Sequence, residues 1–125
     1  MTTRAFPPSA ESVPKARRFV ATALDGLPTE VGEVARLLVS ELATNALVHA
    51  RGGFEVTATY SARCGRVSIR VSDGGEGTPA LGHPGPYEEH GRGLQLVAAL
   101  SERWGVEPGP GQTGKTVWFE LATGS

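Results

Sequence analysis

The stretch TEVGEVARLLVSELATNALVHA, residues 29–50, decides the fold because its apolar residues predict one long amphipathic helix. Thr29 can cap the N-terminus of this helix, and the acidic Glu30 and Glu33 suit a first turn, where the helix dipole favours negative charge. The run Arg51-Gly52-Gly53 would end it. Such a helix must cover its apolar face with a second layer of structure.

Two polar residues stand on the apolar stripe of this helix. At 100° per residue, the apolar residues Val34, Leu37, Leu38 and Val48 fall within about 60° of Glu41, and Val31 and Leu42 lie close by. Glu41 and Asn45 are therefore expected to project from the middle of the face that meets the sheet. A buried carboxylate costs several kcal/mol unless it is paired, hydrated or reactive. The pair is either a structural contact at the core edge, or a base beside an amide oxygen that binds a cation.

The remaining chain predicts further helices and two pairs of strands around a long loop rich in glycine, proline and acidic residues. After an extended lead-in at 6–14, the helices are at 15–24 and 93–100, the strands at 54–60, 66–72, 103–106 and 116–121, and the loops at 73–91 and 107–115. This order predicts an α+β two-layer sandwich, with helices on one face of a mixed, mainly antiparallel sheet.

Composition limits the classes of protein. A length of 125 residues allows one domain, residues 1–125. The 12 Lys and Arg nearly balance the 13 Asp and Glu, which disfavours direct nucleic-acid binding, and the single Cys64 cannot form an internal disulfide. No apolar run approaches the roughly 20 residues of a membrane-spanning helix. A cytoplasmic protein without membrane contact is expected.

Two glycine-rich motifs compete as phosphate sites. The run GPGQTGKT, residues 109–116, fits the Walker A pattern, but that motif needs a helix after it, and the next residues, Val117-Trp118-Phe119-Glu120-Leu121, are typical of a strand. Lys115 is therefore expected to contribute little to nucleotide binding. The other motif combines Asp73-Gly74-Gly75-Glu76-Gly77 at a strand end with His90-Gly91-Arg92-Gly93-Leu94 before a helix, whose N-terminal N–H groups suit a polyphosphate.

Four ordered motifs resemble a known superfamily. Glu41-Leu-Ala-Thr-Asn45-Ala, Asp73-x-Gly75-x-Gly77, Gly91-x-Gly93-Leu94 and Gly114-x-Thr116 are similar to the N, G1, G2 and G3 boxes of the GHKL ATPases, which share the Bergerat ATP-binding fold. The compact length most resembles the stand-alone anti-sigma-factor serine kinases of the RsbW/SpoIIAB type.

The resemblance implies a role in nucleotide binding for each matching residue. Asn45 would coordinate Mg²⁺ between the phosphates, and Asp73 would bind the adenine amino group, with Thr116 assisting through a water. Gly75 and Gly77 would shape the adenine wall. The second glycine motif, Gly91, Gly93 and Leu94, would let an ATP lid at residues 78–90 close over the phosphates.

For the reaction, the resemblance implies that Glu41 is the general base that takes a proton from an attacking hydroxyl. Arg92 either touches the γ-phosphate or faces solvent. The implied protein is an ATP-dependent serine/threonine kinase that phosphorylates a small antagonist protein, sequesters a sigma factor in its other partner state, binds ATP or ADP, and forms a homodimer. The alternatives are a non-catalytic nucleotide-binding interaction module and a slow ATP hydrolase.

Overall fold

The computed structural model describes residues 1–49, 53–73, 87–108 and 114–123, with side chains for all of these except residues 49 and 87–92. In chain order its elements are β1 (Thr2–Phe6), α1 (Ser12–Ala23), α2 (Thr29–His49), β2 (Phe54–Ser61), β3 (Arg66–Asp73), α3 (Tyr87–Leu100), β4 (Arg103–Pro108) and β5 (Lys115–Ala122). In this described part of the chain, no helix combines the length and the apolar character needed to cross a membrane.

The five strands form one open sheet in the order β1-β2-β3-β5-β4, and every pairing between them is antiparallel. Its register joins Phe6 to Phe54, Phe54 to Asp73 and Asp73 to Lys115, so these residues form one row across four strands. Buried side chains alternate along β3, which leaves one face of the sheet for the helices. The predicted α+β sandwich is confirmed.

The core lies between that face of the sheet and helices α1 and α2, and Val97 of α3 also belongs to it. Its largest fully buried side chains include Leu38 of α2, Ile69 of β3 and Phe119 of β5. Full burial of such a side chain stabilises the fold by about 1.5–3 kcal/mol. Helix α2 is therefore held against the central strands, which fixes where its polar residues stand relative to the end of β3.

Three elements differ from the prediction by more than two residues. Strand β1 was missed because Phe6 is its only buried residue, so the strand depends on backbone pairing with β2 rather than on an apolar pattern. Helix α1 starts at Ser12 because Pro14 is tolerated in a first turn. Helix α3 starts at Tyr87, not at Gly93, and so includes residues that composition had assigned to a loop.

Candidate functional site

Helix α2 turns a different face to the sheet from the one predicted. Leu37 and Val48 are 43% and 57% exposed. Leu38, which the wheel did place on the apolar face, is buried, but so are Ala35, Leu42 and Ala46, which lie further around the helix. Because Leu42 lies about 100° around the helix from Glu41, the half-buried Glu41 stands at the edge of the buried face and not in its middle. Asn45, only 9% exposed, does lie within the buried region.

Asp73 is a buried carboxylate at the end of β3. It continues the row of inward-facing residues Val67, Ile69 and Val71, and it is 8% exposed. The backbone N–H of Lys115 on β5 donates a hydrogen bond of 3.2 Å to its Oδ1. A charge-assisted bond of this kind helps to offset the cost of removing a carboxylate from water.

A small cavity brings Asn45 and Asp73 together between helix and sheet. Its volume is about 20 Å³, enough for one water molecule. The lining residues are Leu42, Asn45, Ala46, Val71, Asp73, Leu94, Lys115 and Val117. The predicted residues Asn45, Asp73 and Leu94 thus share one cavity, and a larger occupant such as a purine would require its walls to separate.

Gly93 of α3 packs closely against Glu41 and Asn45 of α2. A Cβ atom at Gly93 would lie 2.6 Å from Nδ2 of Asn45 and 3.8 Å from Cβ of Glu41. Only glycine allows this approach without moving the Asn45 amide. Glu41, Asn45 and Gly93 therefore meet at one point beside the cavity.

The structure does not bring Thr116 to the cavity. Thr116 pairs with Ser72 in the sheet register, and their hydroxyl oxygens are 2.7 Å apart. Both residues point to the face opposite Asp73, because side chains alternate along a strand. Lys115, the partner of Asp73 in the register, occupies the cavity wall instead. The alternation of Lys115 with Val117 and Phe119 was the signal in the sequence that could have found it.

Glu41 does not line this small cavity but lines a larger groove between α1 and α2. This groove, of about 610 Å³, runs between α1 and α2 and is lined by Pro14, Arg17, Arg18, Ala21, Arg36, Leu37, Ser40 and Glu41. Arg17 donates a hydrogen bond of 3.3 Å from Nη1 to Oγ of Ser40. Three arginines make the groove positive next to the Glu41 carboxylate. Glu41 stands between this groove and Gly93.

Several predicted residues lie outside the described part of the chain or lack a described side chain. Gly75 and Gly77 fall outside it, as does most of the expected lid. Gly91 and Arg92 belong to α3 by their backbone. Since α3 starts at Tyr87, both Gly91 and Gly93 lie within the helix, and the expectation that they precede its N-terminus was wrong. Strand β5 begins at Lys115, which confirms that no helix follows the Walker-like run.

The burial of Lys115 changes its titration. Removal of the ammonium group from water lowers the pKa of Lys115, and the charge of Asp73 opposes this by raising it. Asp73 is the charged residue among those that line the cavity with Lys115; α2 and α3 contribute Asn45, Ala46, Leu42 and Leu94, which are uncharged. Burial is the larger of the two effects.

Lys115→Met is expected to remove an increase in the free energy of unfolding that the wild type shows as the pH rises into the alkaline range. The pKa of Lys115 is lower in the folded protein than its ordinary value of 10.5. Between these two pKa values the unfolded state therefore holds more protons than the folded state. The free energy of unfolding of the wild type therefore increases across that window, relative to the variant. Urea unfolding over this range measures the difference. Lys15→Met, at the other lysine of the chain, which is exposed, should keep the rise. A constant difference between wild type and Lys115→Met would contradict the burial of the ammonium.

The fold and the four motifs place this protein in the class of GHKL ATPase and kinase domains. The chain belongs to the family of histidine kinase-like ATPase domains, whose sequence model matches residues 6–121. This confirms the superfamily inferred from the motifs. No curated protein matches the chain.

One similar solved structure is that of full-length ShkA in complex with AMPPNP. The two share 23% sequence identity with a TM-score of 0.55, and the match covers 100% of this chain and 33% of that one. The likeness supports the fold. This chain spans about a third of the length of the protein it matches.

Proposed function

We propose that this domain binds ATP with Mg²⁺ and transfers the γ-phosphoryl group to a serine or threonine hydroxyl of a partner protein. The observation that carries the proposal is the meeting of Glu41, Asn45 and Gly93 beside a cavity that holds Asp73. Glu41 and Asn45 lie one turn apart on α2 and place a carboxylate and an amide beside Gly93 of α3, an arrangement that suits a charged ligand.

Asp73 is proposed to bind the adenine amino group. A carboxylate offers about four lone-pair sites on two oxygens, so Asp73 can accept a hydrogen bond from a base amino group in addition to the one from the Lys115 N–H. The apolar Val71 and Val117, which line the same cavity, suit the faces of an aromatic base. The cavity would open to admit the base.

The residues fit a magnesium ion at Asn45. Its amide oxygen is a hard ligand, and Mg²⁺ is usually held by one or two protein oxygens together with substrate phosphates and waters. The lack of a side chain at Gly93 leaves room for the Asn45 amide, whose Nδ2 would lie 2.6 Å from a Cβ at that position. Bound there, Mg²⁺ would neutralise charge on the phosphates.

Glu41 is proposed to act as the general base. The acceptor oxygen forms a bond to the γ-phosphorus, the bond from that phosphorus to the bridging oxygen of ADP breaks, and the hydroxyl proton passes to the Glu41 carboxylate. The groove that Glu41 lines would give the acceptor a route from solvent to this carboxylate. Its Arg17, Arg18 and Arg36 favour an acidic segment of a partner protein.

The particular kind of kinase is proposed from the resemblance of the sequence to anti-sigma-factor kinases. A kinase of the RsbW/SpoIIAB type would phosphorylate a small antagonist protein and sequester a sigma factor when that antagonist is not engaged. It would work as a homodimer in the cytoplasm. The exchange of ATP for ADP would bias the choice between the two partners.

Incubation with γ-labelled ATP, Mg²⁺ and candidate antagonist proteins tests the proposal. Label on a serine or threonine of the antagonist is expected. Release of free phosphate without protein label would indicate a slow hydrolase, and nucleotide binding with neither product would indicate a non-catalytic module. Either result would overturn the kinase assignment.

Gly93→Ala is expected to weaken Mg²⁺-dependent ATP binding by roughly tenfold with little loss of stability. The new methyl would displace the flexible Asn45 amide, whereas alanine is about 1 kcal/mol better than glycine within a helix. Gly32→Ala is the matched control, because Gly32 lies in α2 with no atom within 4 Å of its Cβ position. Calorimetric titration with and without Mg²⁺ compares them. Equal binding by the two variants would contradict the placement of the Asn45 amide at the ligand.

A further inference from the structure

Lys115 stands opposite Asp73 on the cavity wall. The two residues are partners in the register of β3 and β5, and the Lys115 backbone N–H is hydrogen-bonded to Asp73 Oδ1. Side chains of paired residues in antiparallel strands project from the same face. Lys115 therefore projects on the helix side of the sheet, as Val117 and Phe119 do, and its side chain is half-buried.

This juxtaposition pairs an acceptor with a donor in one small space. The Asp73 carboxylate accepts hydrogen bonds, and the Lys115 ammonium offers three donors and no acceptor. On the edge of adenine, the exocyclic amino group is a donor and the neighbouring ring nitrogen N1 is an acceptor. The two side chains thus carry the complementary pattern.

We propose that Lys115 is a base-reading residue that donates a hydrogen bond to N1 of adenine while Asp73 accepts one from the amino group. The proposal rests on the proposed ATP binding and adds a second determinant of base specificity to it. It replaces the expectation from the sequence that Lys115 contributes little, because that expectation considered only a phosphate-binding role in a Walker A motif. A lysine that served only as a counter-charge for Asp73 would support the site without sensing N1.

Nucleotides with altered bases distinguish a Lys115 that hydrogen-bonds to N1 of adenine from a Lys115 that only offsets the charge of Asp73. ATP and its 1-deaza analogue differ at N1, where the analogue has a C–H group and cannot accept a hydrogen bond. The wild type is expected to bind ATP at least about tenfold more tightly than 1-deaza-ATP, the value of one hydrogen bond to a charged donor. Lys115→Met should bind the two nucleotides equally. The 7-deaza analogue keeps N1, so both proteins should bind it as they bind ATP.

A second measurement uses the chain's two lysines, Lys115 and Lys15. Reductive methylation of the wild type, followed by mass spectrometry, reports the reactivity of each amine. ATP is expected to protect Lys115 and to leave the exposed Lys15 unchanged. This readout does not require phosphoryl transfer.

The outcomes distinguish this inference from the proposed function. If the wild type binds ATP but the preference over 1-deaza-ATP is the same in Lys115→Met, Lys115 does not read the base, and ATP binding stands. If ATP binds without protecting Lys115, the inference is likewise wrong. If the wild type does not bind ATP at all, the proposed function itself fails and this inference fails with it.

Discussion

Asp73→Asn is expected to weaken ATP binding by roughly 10- to 150-fold, the value of a hydrogen bond to a charged group of about 1.5–3 kcal/mol. The carboxylate must serve two donors, the Lys115 backbone N–H at 3.2 Å and the amino group of the base. An amide has one acceptor oxygen, and its NH₂ group would face one of these donors. Either the sheet bond or the contact with the base would therefore be lost.

Asp25→Asn is the matched control for this change, since Asp25 is the only other aspartate in the chain and is exposed. It should bind ATP as the wild type does. Calorimetric titration measures the affinities, and circular dichroism establishes that Asp73→Asn keeps its fold. Unchanged affinity in a folded Asp73→Asn protein would overturn the assignment of Asp73 as the reader of adenine.

Periodic apolar patterns predicted the parts of the fold that depend on burial. Strands β2 and β3 alternate buried positions with more accessible ones, and they were predicted within one residue of their observed ends. Strand β1 could not be found in this way, because its pairing with β2 uses backbone groups that every residue carries. The start of α3 was missed because the glycines and prolines near Tyr87 predicted a loop. Its contact with α2, which the local sequence does not reveal, accompanies the helix there.

The errors within the site have two sources: the rotation of α2 about its own axis, and the face of the sheet to which each residue of β5 belongs. The helical wheel gave full weight to Leu37 and Val48, which are exposed, and too little to small residues such as Ala35 and Ala46, which allow α2 to approach the sheet closely. A motif match placed Thr116 at the adenine. The register shows that its neighbour Lys115 shares a face with Asp73, because a one-residue shift along a strand exchanges the two faces of the sheet.

Glu41→Ala is expected to lower phosphoryl transfer by about 10²- to 10⁴-fold, which is the usual contribution of a general base. ATP binding should change little, because Glu41 does not line the cavity that holds Asp73. A variant that binds normally and does not transfer has lost an interaction made only in the transition state. Transfer of label from γ-labelled ATP and calorimetric titration measure the two effects separately.

Glu41→Gln sharpens this test because it keeps the size of the side chain at the edge of α2 while it removes the negative charge and the basicity of the carboxylate. It should lose transfer nearly as fully as Glu41→Ala, whereas Glu33→Gln, an exposed position on the same helix, should transfer normally. Recovery of transfer in Glu41→Gln would mean that the side chain holds Gly93 and α3 in place through its shape. Retained transfer in both Glu41 variants would remove Glu41 as the base, and the proton would then have to leave the acceptor hydroxyl by another route.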